Sequence, residues 1–351
     1  MEMIPPFKYR HRPPLPSTED VALEAMSLDR RGIHVEARGN RAVPALERLI
    51  AEVAPSLGLN WVIAQVDGSF EYASHPEVAE PDPITKADAR RLARLAREAR
   101  ISLVPMYNCL GHQSWGQRVG TLLRAHPEFN EAPDLDPSVG NLYCMGWCPN
   151  HPAINPLLFD LFDELLEAFE PKALHVGMDE VFMIGRCERC KDTPPAELLA
   201  GAINEYYQHL VGRRGVEMQM WGDRLLPRSM GFSHWESSET DTEGAIDLIP
   251  EDILICDWHY HLMQDYPSVR YFQERGFRVW PAGWKEAPAV RRLIEISRRN
   301  ATPNMVGYLC TTWCGVGDIV AALAGDQVPS NPDWIPDVVS GVKLGAALSQ
   351  S

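Results

Sequence analysis

The sequence predicts a closed barrel of eight parallel strands and eight helices, the (β/α)8 or TIM barrel, as a single domain. Short apolar runs rich in β-branched and aromatic residues alternate with helical periods along most of the 351 residues. Such runs are typical of strands buried on both faces, and their alternation with helices indicates a parallel sheet. An open doubly wound sheet is the alternative, but it usually carries a glycine-rich phosphate loop after its first strand, and here that turn reads EARGNRA. The closed barrel therefore fits best.

Eight segments have the composition of buried strands. They are Gly32–Ala37, Leu59–Val66, Ile101–Tyr107, Ala173–Val176, Val216–Trp221, Ile253–Trp258, Phe277–Trp280 and Met305–Thr311.

Helical periods lie between these strands. In Ile154–Phe169 the apolar residues recur every three or four positions, which places them on one face of a helix. Thr85 is a predicted N-cap for Lys86–Ala99. The remaining predicted helices are Ala45–Val53, Ala196–Val211, Tyr266–Arg275 and Pro288–Arg299.

The ends of the chain differ in composition from the middle. Residues 1–28 are proline-rich and are expected to form an extension that packs on the barrel, which spans 29–325. Residues 326–351, rich in Pro, Asp and Ser and then in small residues, are expected to form a carboxyl-terminal extension.

The net charge of the chain argues against partners that carry many phosphate groups. There are 33 Lys and Arg residues against 48 Asp and Glu, a net charge of −15. No basic surplus exists to neutralise phosphates, so nucleic acid and anionic membranes are not expected partners. No apolar run reaches the roughly 20 residues of a membrane helix, and no secretory signal is visible, so a cytoplasmic location is expected. No cofactor is expected, and the oligomeric state stays open.

Polar and aromatic residues gather where the predicted strands end. In a barrel of this kind the functional site lies at the carboxyl ends of the strands. Tryptophan faces stack on sugar rings, and carboxylates accept hydrogen bonds from sugar hydroxyls or supply a proton to a glycosidic bond. A small carbohydrate or glycoconjugate is therefore the expected substrate. The residues at the tips are Glu36, Arg38, Asp67, Asn108, His112, Asp179, Glu180, Trp221, Asp223, Trp258, Tyr260, Trp284 and Trp313.

The most informative motif is the adjacent pair Asp179-Glu180 after the fourth strand. Neighbouring side chains in a regular strand point to opposite faces, so both acids can serve one substrate only where the strand bends into its loop. Glu180 could then donate a proton if burial raises its pKa, while Asp179 stays ionised and holds the substrate. The competing interpretation is an acidic pair at a helix start, but the position after His-x-Gly at a strand end favours the chemical role.

The segment HVGMDEV resembles the signature of glycoside hydrolase family 20, the β-N-acetylhexosaminidases, and is closest to the hexosaminidase D-like branch. The likeness runs from about Arg31 to Trp313 and rests on the order and spacing of several short motifs. These are Arg31-Gly32, VDGSFEYASHPEV, ITKADARRLARLAREARISLVP before Leu110-Gly111-His112, Cys148-Pro149-Asn150, Trp221-Gly222-Asp223, Trp258-x-Tyr260 and Thr312-Trp313.

The resemblance implies removal of terminal β-linked N-acetylhexosamine (GlcNAc or GalNAc) with retention and with help from the substrate. Asp179 matches the aspartate that orients the 2-acetamido group, whose carbonyl oxygen attacks the anomeric carbon. Glu180 matches the general acid and base, so no enzyme nucleophile is needed, in contrast to the usual two-carboxylate scheme. Among the other matched residues, Arg31 would bind ring hydroxyls, His112 would tune Glu180, and His175 would position its neighbours. Asp67, Asp223 and Trp284 are further expected contacts, and Trp221, Trp258, Trp313 and Tyr260 would surround the acetamido group and the ring.

Two departures from the family pattern bear on specificity. Asp67 alone stands where larger members carry an acidic pair, and Trp313-Cys314-Gly315 replaces the usual Trp-x-Glu. The second change removes a carboxylate that often contacts sugar hydroxyls, which leaves the gluco or galacto preference open. A glycosidase that uses Asp67 or Asp223 on a sugar without an acetamido group, or a catalytically silent carbohydrate-binding barrel, are the alternatives.

Eight cysteines are present. Reduced thiols are the favoured interpretation in a chain without an export signal. Two pairs, Cys144 with Cys148 and Cys187 with Cys190, fall in neighbouring loops of the predicted barrel. If the four thiols come together, they could bind a structural zinc ion, which is the less favoured alternative to free thiols.

Overall fold

Eight parallel strands close into a barrel in chain order, so the predicted fold class is confirmed. The computed structural model describes residues 28–115, 118–136, 143–328 and 333–350. Each of the eight predicted strands is present. They are β1 (Arg30–Glu36), β2 (Trp61–Gln65), β3 (Ser102–Cys109), β4 (Ala173–Gly177), β5 (Glu217–Trp221), β6 (Leu254–Trp258), β7 (Arg278–Gly283) and β8 (Gly307–Cys310).

The helices lie outside the ring. The first continues through a π-helical turn at Leu49–Val53 into Ala54–Ser56, and the fifth continues into another such turn at Gln208–Arg213. Thr85 caps the second, as predicted, because its hydroxyl accepts a hydrogen bond from the Asp88 amide. The α-helices are α1 (Val43–Arg48), α2 (Lys86–Glu98), α3 (Thr121–Ala125), α4 (Ile154–Phe169), α5 (Pro195–Tyr207), α6 (Ser268–Glu274), α7 (Ala287–Arg299), α8 (Val316–Ala324) and α9 (Ile335–Gln350).

The crossover from β5 to β6 departs from the regular alternation. Residues 222–253 are all described, and they form short 3-10 turns at Asp223–Leu225, Arg228–Met230 and Glu243–Asp247 instead of an α-helix. This loop-rich connection starts at the carboxyl end of β5, which is the end where a barrel builds its site.

The carboxyl-terminal helix α9 packs on the barrel wall. Gly341 lies so close to the backbone at Trp284 that a Cβ there would be 2.0 Å from the carbonyl oxygen. The Gln350 side chain donates to the Leu57 carbonyl oxygen. The predicted extension 326–351 thus includes a helix that covers the outside of the barrel. The predicted amino-terminal extension, residues 1–28, falls outside the described residues apart from Leu28.

The two ends of the barrel differ in chemistry. At the amino-terminal end Glu217 of β5 accepts bonds from Arg30 of β1 at 2.6 Å and from Arg278 of β7 at 2.5 Å. The interior is filled by apolar and aromatic side chains such as Ile63, Val104 and Trp280. Within the described ranges, no helix is long and apolar enough to cross a membrane.

Candidate active site

The backbone turns sharply where β4 ends. Gly177 has φ +71°, Met178 φ +76° and Glu180 φ +50°. These values lie in the left-handed region, which residues other than glycine rarely adopt. A Cβ at Gly177 would lie 1.9 Å from the Asn108 Oδ1 atom, so only glycine fits there. This bend breaks the alternation of a strand and turns Asp179 and Glu180 towards a common neighbour, His112.

His112 bridges the two acids from the loop after β3. Its Nε2 atom lies 3.0 Å from Asp179 Oδ2 and 3.1 Å from Glu180 Oε2. Burial acts to lower the pKa of His112, but the Asp179 charge and hydrogen bonds outweigh it, and the pKa is raised well above its usual value. The imidazole is therefore positively charged at neutral pH and donates to the acids.

Asp179 is buried and ionised. Burial acts to raise its pKa, yet the positive His112 and a hydrogen bond from the Asn108 side chain hold the pKa below the usual range. The residue is only 3% exposed, and its Oδ1 atom has no hydrogen-bond partner among the described residues. A buried carboxylate oxygen of this kind is an acceptor ready for a donor from a ligand.

Glu180 is contacted on one oxygen. The Tyr143 hydroxyl donates to Oε2, and the Cys144 thiol points to the same atom at 3.5 Å. Cys144 Sγ also lies 3.3 Å from His112 Nδ1. Burial raises the pKa of Cys144 to about 11, so the thiol is protonated at neutral pH. These contacts orient Glu180 and leave Oε1 outside the network that they form.

Asp223, after β5, holds the bend in place. Its Oδ2 atom accepts from the Glu180 backbone amide at 2.9 Å and from Arg224 Nε at 2.7 Å, while Oδ1 accepts from Trp258 Nε1 at 3.2 Å. Burial raises the pKa of Asp223 to about 6. Because both oxygens are engaged by the protein, this carboxylate supports Glu180.

Trp221 forms the floor of the site at the centre of the barrel. It is fully buried, and its ring centroid lies 4.6 Å from that of His175 and 5.6 Å from that of Trp313. His34 packs on Trp221 and Trp313 from the β1 side. Burial lowers the pKa of His175 to about 3 and that of His34 to about 4, so both imidazoles are neutral. Trp221 Nε1 and His175 Nε2 have no hydrogen-bond partner among the described residues.

A second aromatic group forms the wall after β6, β7 and β8. Trp258 and Tyr260 stack with centroids 4.8 Å apart, and Trp313 Nε1 donates to the Tyr260 hydroxyl at 2.7 Å. Trp284 packs on Tyr260 from the outer side and donates to the Thr312 carbonyl oxygen. The four tryptophans named from the sequence, which include Trp221, are thus joined with Tyr260 in one aromatic assembly.

Asp67, after β2, is engaged by the protein. Its Oδ1 atom accepts from the Asn108 amide at 2.8 Å and its Oδ2 atom from Gln65 Nε2 at 2.7 Å. Burial raises its pKa, although bonds to Asn108 and the charge of Arg38 oppose the change. Asp67 therefore ties β2 to β3 beside Asn108, whose own side chain reaches Asp179.

The expectation that Arg31 binds substrate is wrong. Arg31 is the second residue of β1, at the amino-terminal end of the barrel, and its Nε atom donates to the Gly58 carbonyl oxygen at 2.7 Å. Arg38 follows the carboxyl end of β1 instead and pairs with Glu36 at 2.9 Å. Burial acts to lower the pKa of Arg38, but the charges of Glu36 and Asp67 raise it. Of the two arginines, Arg38 is the one on the side of the barrel that holds Asp179.

An aromatic rim lies beside Glu180 and was not foreseen from the sequence. The rim consists of Trp115, Tyr143, Phe182 and Trp235. Tyr143 contacts the Trp115 ring at 4.9 Å and the Trp235 ring at 5.5 Å between centroids. Trp115 is 67% exposed and Trp235 is 41% exposed. The residues come from three loops, and the only signal in the sequence is that each is an aromatic residue beyond a strand end.

The four cysteines of the predicted alternative zinc site do not form one cluster. Cys144 contacts His112 and Glu180, whereas Cys148, Cys187 and Cys190 form a separate buried group with Glu131. The predicted set of four thiolate ligands is therefore wrong for Cys144, which lies outside the group of the other three.

A model of the catalytic domain of glycosyl hydrolase family 20 matches residues 65–279, which is more than half of the chain. The chain belongs to glycosyl hydrolase family 20. The sequence resemblance is thereby confirmed, and the matched part runs from the end of β2 into β7, including Asp179 and Glu180.

Solved structures share the fold of this family 20 chain at low sequence identity. A β-N-acetylhexosaminidase from Bacteroides fragilis has a TM-score of 0.60 at 13% identity, with 90% of this chain and 65% of that one covered. An exo-β-N-acetylglucosaminidase from Vibrio harveyi, in complex with N-acetylglucosamine, has a TM-score of 0.62 at 15% identity, with 91% and 54% covered. For a mutant β-hexosaminidase from Streptomyces plicatus with bound GlcNAc the values are 0.56, 15%, 91% and 68%.

The family 20 chain is shorter than many of these proteins. It spans 65% of the Bacteroides fragilis chain and about half of the Vibrio harveyi chain. A comparison with curated proteins found no match.

Proposed function

We propose that this protein is a β-N-acetylhexosaminidase that removes terminal β-linked GlcNAc or GalNAc with retention of configuration. Asp179 positions the 2-acetamido group of the substrate, and Glu180 serves as general acid and then as general base. The observation that carries the proposal is the shared contact of both acids with His112 beside a tryptophan-lined floor.

The contacts of the two acids support this division of labour. Asp179 is ionised, and its Oδ1 atom is free to accept the amide hydrogen of an acetamido group. Glu180 is held through Oε2 by Tyr143 and His112, so Oε1 can meet the glycosidic oxygen. Trp221 and Trp313 supply apolar surface for the acetamido methyl group.

The reaction then proceeds in two displacements. The acetamido carbonyl oxygen attacks the anomeric carbon while Glu180 gives its proton to the departing oxygen, and the bond to the aglycone breaks. Asp179 stabilises the positive charge that forms on the cyclised amide, which is an electrostatic contribution made in a water-poor site. Glu180, now a carboxylate, takes a proton from water as the water attacks the same carbon. The ring of the intermediate opens and the β-configured product leaves.

The two sides of the sugar have separate candidate contacts. Arg38 and Glu36 at the tip of β1 supply donors and acceptors for ring hydroxyls, in the place that the missing strand-eight carboxylate leaves open. The aromatic rim around Tyr143 adjoins the proton donor, so it faces the aglycone side of the scissile bond. Stacking on an exposed rim of this kind suits a second sugar.

The alternative carboxylates are poor candidates for chemistry. Each oxygen of Asp67 and of Asp223 already accepts a hydrogen bond from the protein. A glycosidase that used them on a sugar without an acetamido group would have to break those bonds first. A silent binding barrel gives no reason for an ionised, buried Asp179 that shares His112 with a second carboxyl group.

The test compares E180Q and D179N with wild type on aryl N-acetyl-β-glucosaminides and galactosaminides of different leaving-group acidity. General acid catalysis contributes roughly 10²–10⁴-fold, so E180Q should lose about that much kcat/KM on a poor leaving group. The loss should shrink on a dinitrophenyl glycoside, which departs without a proton. D179N should lose activity on every leaving group, because Asp179 acts on the attacking acetamido group and not on the leaving group.

E188Q is the matched control, since Glu188 lies on the same loop with its side chain 87% exposed. It should retain wild-type kcat/KM. A thiazoline mimic of the cyclised intermediate should inhibit wild type and bind D179N more weakly. Unchanged rates in both active-site variants would refute the assigned roles. Activity confined to sugars without an acetamido group would favour the other glycosidase, and sugar binding without turnover would favour the silent barrel.

A paired experiment separates the two arginines. R38A should lower kcat/KM by about 10–100-fold, since a hydrogen bond from a charged group is worth about 1.5–3 kcal/mol. R31A should leave kcat/KM near wild type and lower the unfolding temperature, because Arg31 joins β1 to the Gly58 turn. The opposite pattern in the two variants would contradict the placement of the hydroxyl site.

We also propose a cytoplasmic location. All eight cysteines are buried and none forms a disulfide within the part of the chain that the structure describes, which suits a reducing compartment. Fractionation of the native host and measurement of the free thiols in the purified protein would test this.

A further inference from the structure

Three cysteine sulfurs converge at one buried point beside the active site. Cys148 Sγ lies 3.3 Å from Cys187 Sγ and 3.5 Å from Cys190 Sγ. A disulfide would need about 2.05 Å, whereas two thiolates on one tetrahedral zinc ion, each at about 2.3 Å, stand about 3.8 Å apart. The observed separations are those of unbonded sulfurs near the spacing of metal ligands.

A fourth donor completes the group. Glu131 is fully buried, and its ligand oxygen and the three sulfurs all lie within 4.8 Å of one another. Glu131 Oε1 accepts from the Arg186 amide at 2.9 Å, but Oε2 has no hydrogen-bond partner among the described residues. A buried carboxylate oxygen without a partner is costly, and a cation is the partner that would satisfy it.

A turn of the backbone holds two of the three cysteines. Cys187 and Cys190 sit at the two ends of a turn in which the Cys190 amide donates to the Cys187 carbonyl oxygen. This turn presents both sulfurs of a Cys-x-x-Cys pair in one direction, as tetrahedral zinc sites require.

We propose that Glu131, Cys148, Cys187 and Cys190 bind a structural zinc ion. Three thiolates and one carboxylate in a closed four-coordinate arrangement match the donor types and the geometry that zinc prefers. The ion fastens two segments, one that follows β3 and carries Tyr143 and Cys144, and one that follows β4 and carries Asp179 and Glu180. Zinc here has no part in the reaction and instead fixes the relative position of the two loops.

The first experiment uses the wild-type protein alone. Protein expressed with added zinc and then dialysed should contain about one zinc per chain by elemental mass spectrometry. Replacement by cobalt should produce the strong near-ultraviolet bands of thiolate-to-cobalt charge transfer. No zinc above background would overturn the proposal, and so would a disulfide between any two of the three cysteines, detected by mass spectrometry without reduction.

Variants locate the ion. C187S/C190S should keep only a small fraction of the wild-type zinc, and E131Q should release zinc to a chromophoric chelator about tenfold faster or more. C314S is the matched control, because Cys314 is another buried thiol that lies outside the cluster, and it should retain the wild-type zinc content. Full zinc in C187S/C190S would place the ion elsewhere and overturn the assignment. If the double variant fails to fold, the wild-type and E131Q measurements still decide. None of these readouts depends on enzyme activity, so they test the zinc site independently of the proposed function.

Discussion

His112 controls the charge of the site through a single nitrogen. It contacts both acids through Nε2, and it is the main influence that keeps the pKa of Asp179 low against the effect of burial. A buried aspartate without this partner would take up a proton at a higher pH.

Replacement of His112 by glutamine should therefore move the acid limb of the kcat/KM profile to higher pH. The effect of burial, which acts to raise the pKa of Asp179, is then no longer opposed by the imidazolium. In the proposed mechanism the protonated acid cannot stabilise the cyclised amide. The measurement is the pH dependence of kcat/KM on an aryl N-acetylglucosaminide. H126Q, at a histidine whose ion-pair partners are Glu77 and Glu128, is the control and should keep the wild-type profile. An acid limb that stays in place in H112Q would show that Asp179 does not depend on this histidine.

At this scale the sequence predicted the acids better than their surroundings. Asp179 and Glu180 could be named because they follow a recognisable strand. Arg31 is the match that the Arg31-Gly32 pair suggests, although the predicted strand Gly32–Ala37 already places Arg31 before the strand and Arg38 after it. A shift of seven residues moves a side chain from one end of the barrel to the other. Tyr143 and Cys144 reach Glu180 from a loop whose path no local pattern specifies.

Among the elements, α9 depends on a close approach to the barrel. The helix crosses the backbone after β7, where Gly341 faces the Trp284 carbonyl oxygen without a side chain between them. Glycine is a poor helix former, so its presence in the middle of a helix indicates a steric requirement.

Substitution of Gly341 by alanine should destabilise the protein by about 1–3 kcal/mol, the usual range for overpacking, because the new Cβ would lie 2.0 Å from a backbone oxygen. G201A is the matched control, since Gly201 lies within α5 with nothing within 4 Å of its position for a Cβ. Alanine there should stabilise the protein by about 0.5–1 kcal/mol. Urea unfolding measures both values. Equal effects in the two variants would mean that α9 is not packed on the barrel as described.

The strands and helices were predictable because each buries a continuous apolar run or a periodic stripe. The crossover from β5 to β6 has neither signal, and its residues form 3-10 turns held by polar contacts such as that of the Thr242 hydroxyl to the Arg224 carbonyl oxygen. The bend at Met178 and Glu180 was expected from the chemistry, but its left-handed dihedral angles follow from packing against the loop of His112.

Across the whole molecule, an ion cluster joins three strands at the end of the barrel opposite the active site. Glu217 of β5 lies between Arg30 of β1 and Arg278 of β7, and its side chain is 16% exposed. Burial acts to raise the pKa of Glu217, but the hydrogen bonds and charges of Arg30, Gln219 and Arg278 together outweigh it and lower the pKa to about 2.

E217Q should lower the free energy of unfolding by on the order of 2–3 kcal/mol at neutral pH, since it leaves two arginines without their acid. A lowered pKa stabilises the fold fully above about pH 4.5, and this contribution is lost as the pH falls towards about 2. The difference between E217Q and wild type should therefore shrink on acidification. E170Q removes a surface pair of Arg97 and Glu170 and should change stability by less than about 1 kcal/mol. A difference independent of pH would contradict the cluster's electrostatic role.

The closed ring was predictable from the number and order of the strands, since eight alternating units leave few other topologies. The ion cluster at Glu217 was not predictable, because Glu217 is 187 positions from Arg30 and 61 positions from Arg278, and no sequence motif links the three residues.

Closure of the barrel also limits when this protein can fold during its synthesis on the ribosome. Strand β1 needs two partners, and one of them, β8, is made about 280 residues later, with Arg30 aligned to Gly307. A nascent chain that ends before β8 holds an open sheet with two unpaired edges, and the floor beneath Asp179 lacks the Trp313 ring. The site can therefore assemble only after β8 has left the exit tunnel and paired with both β1 and β7.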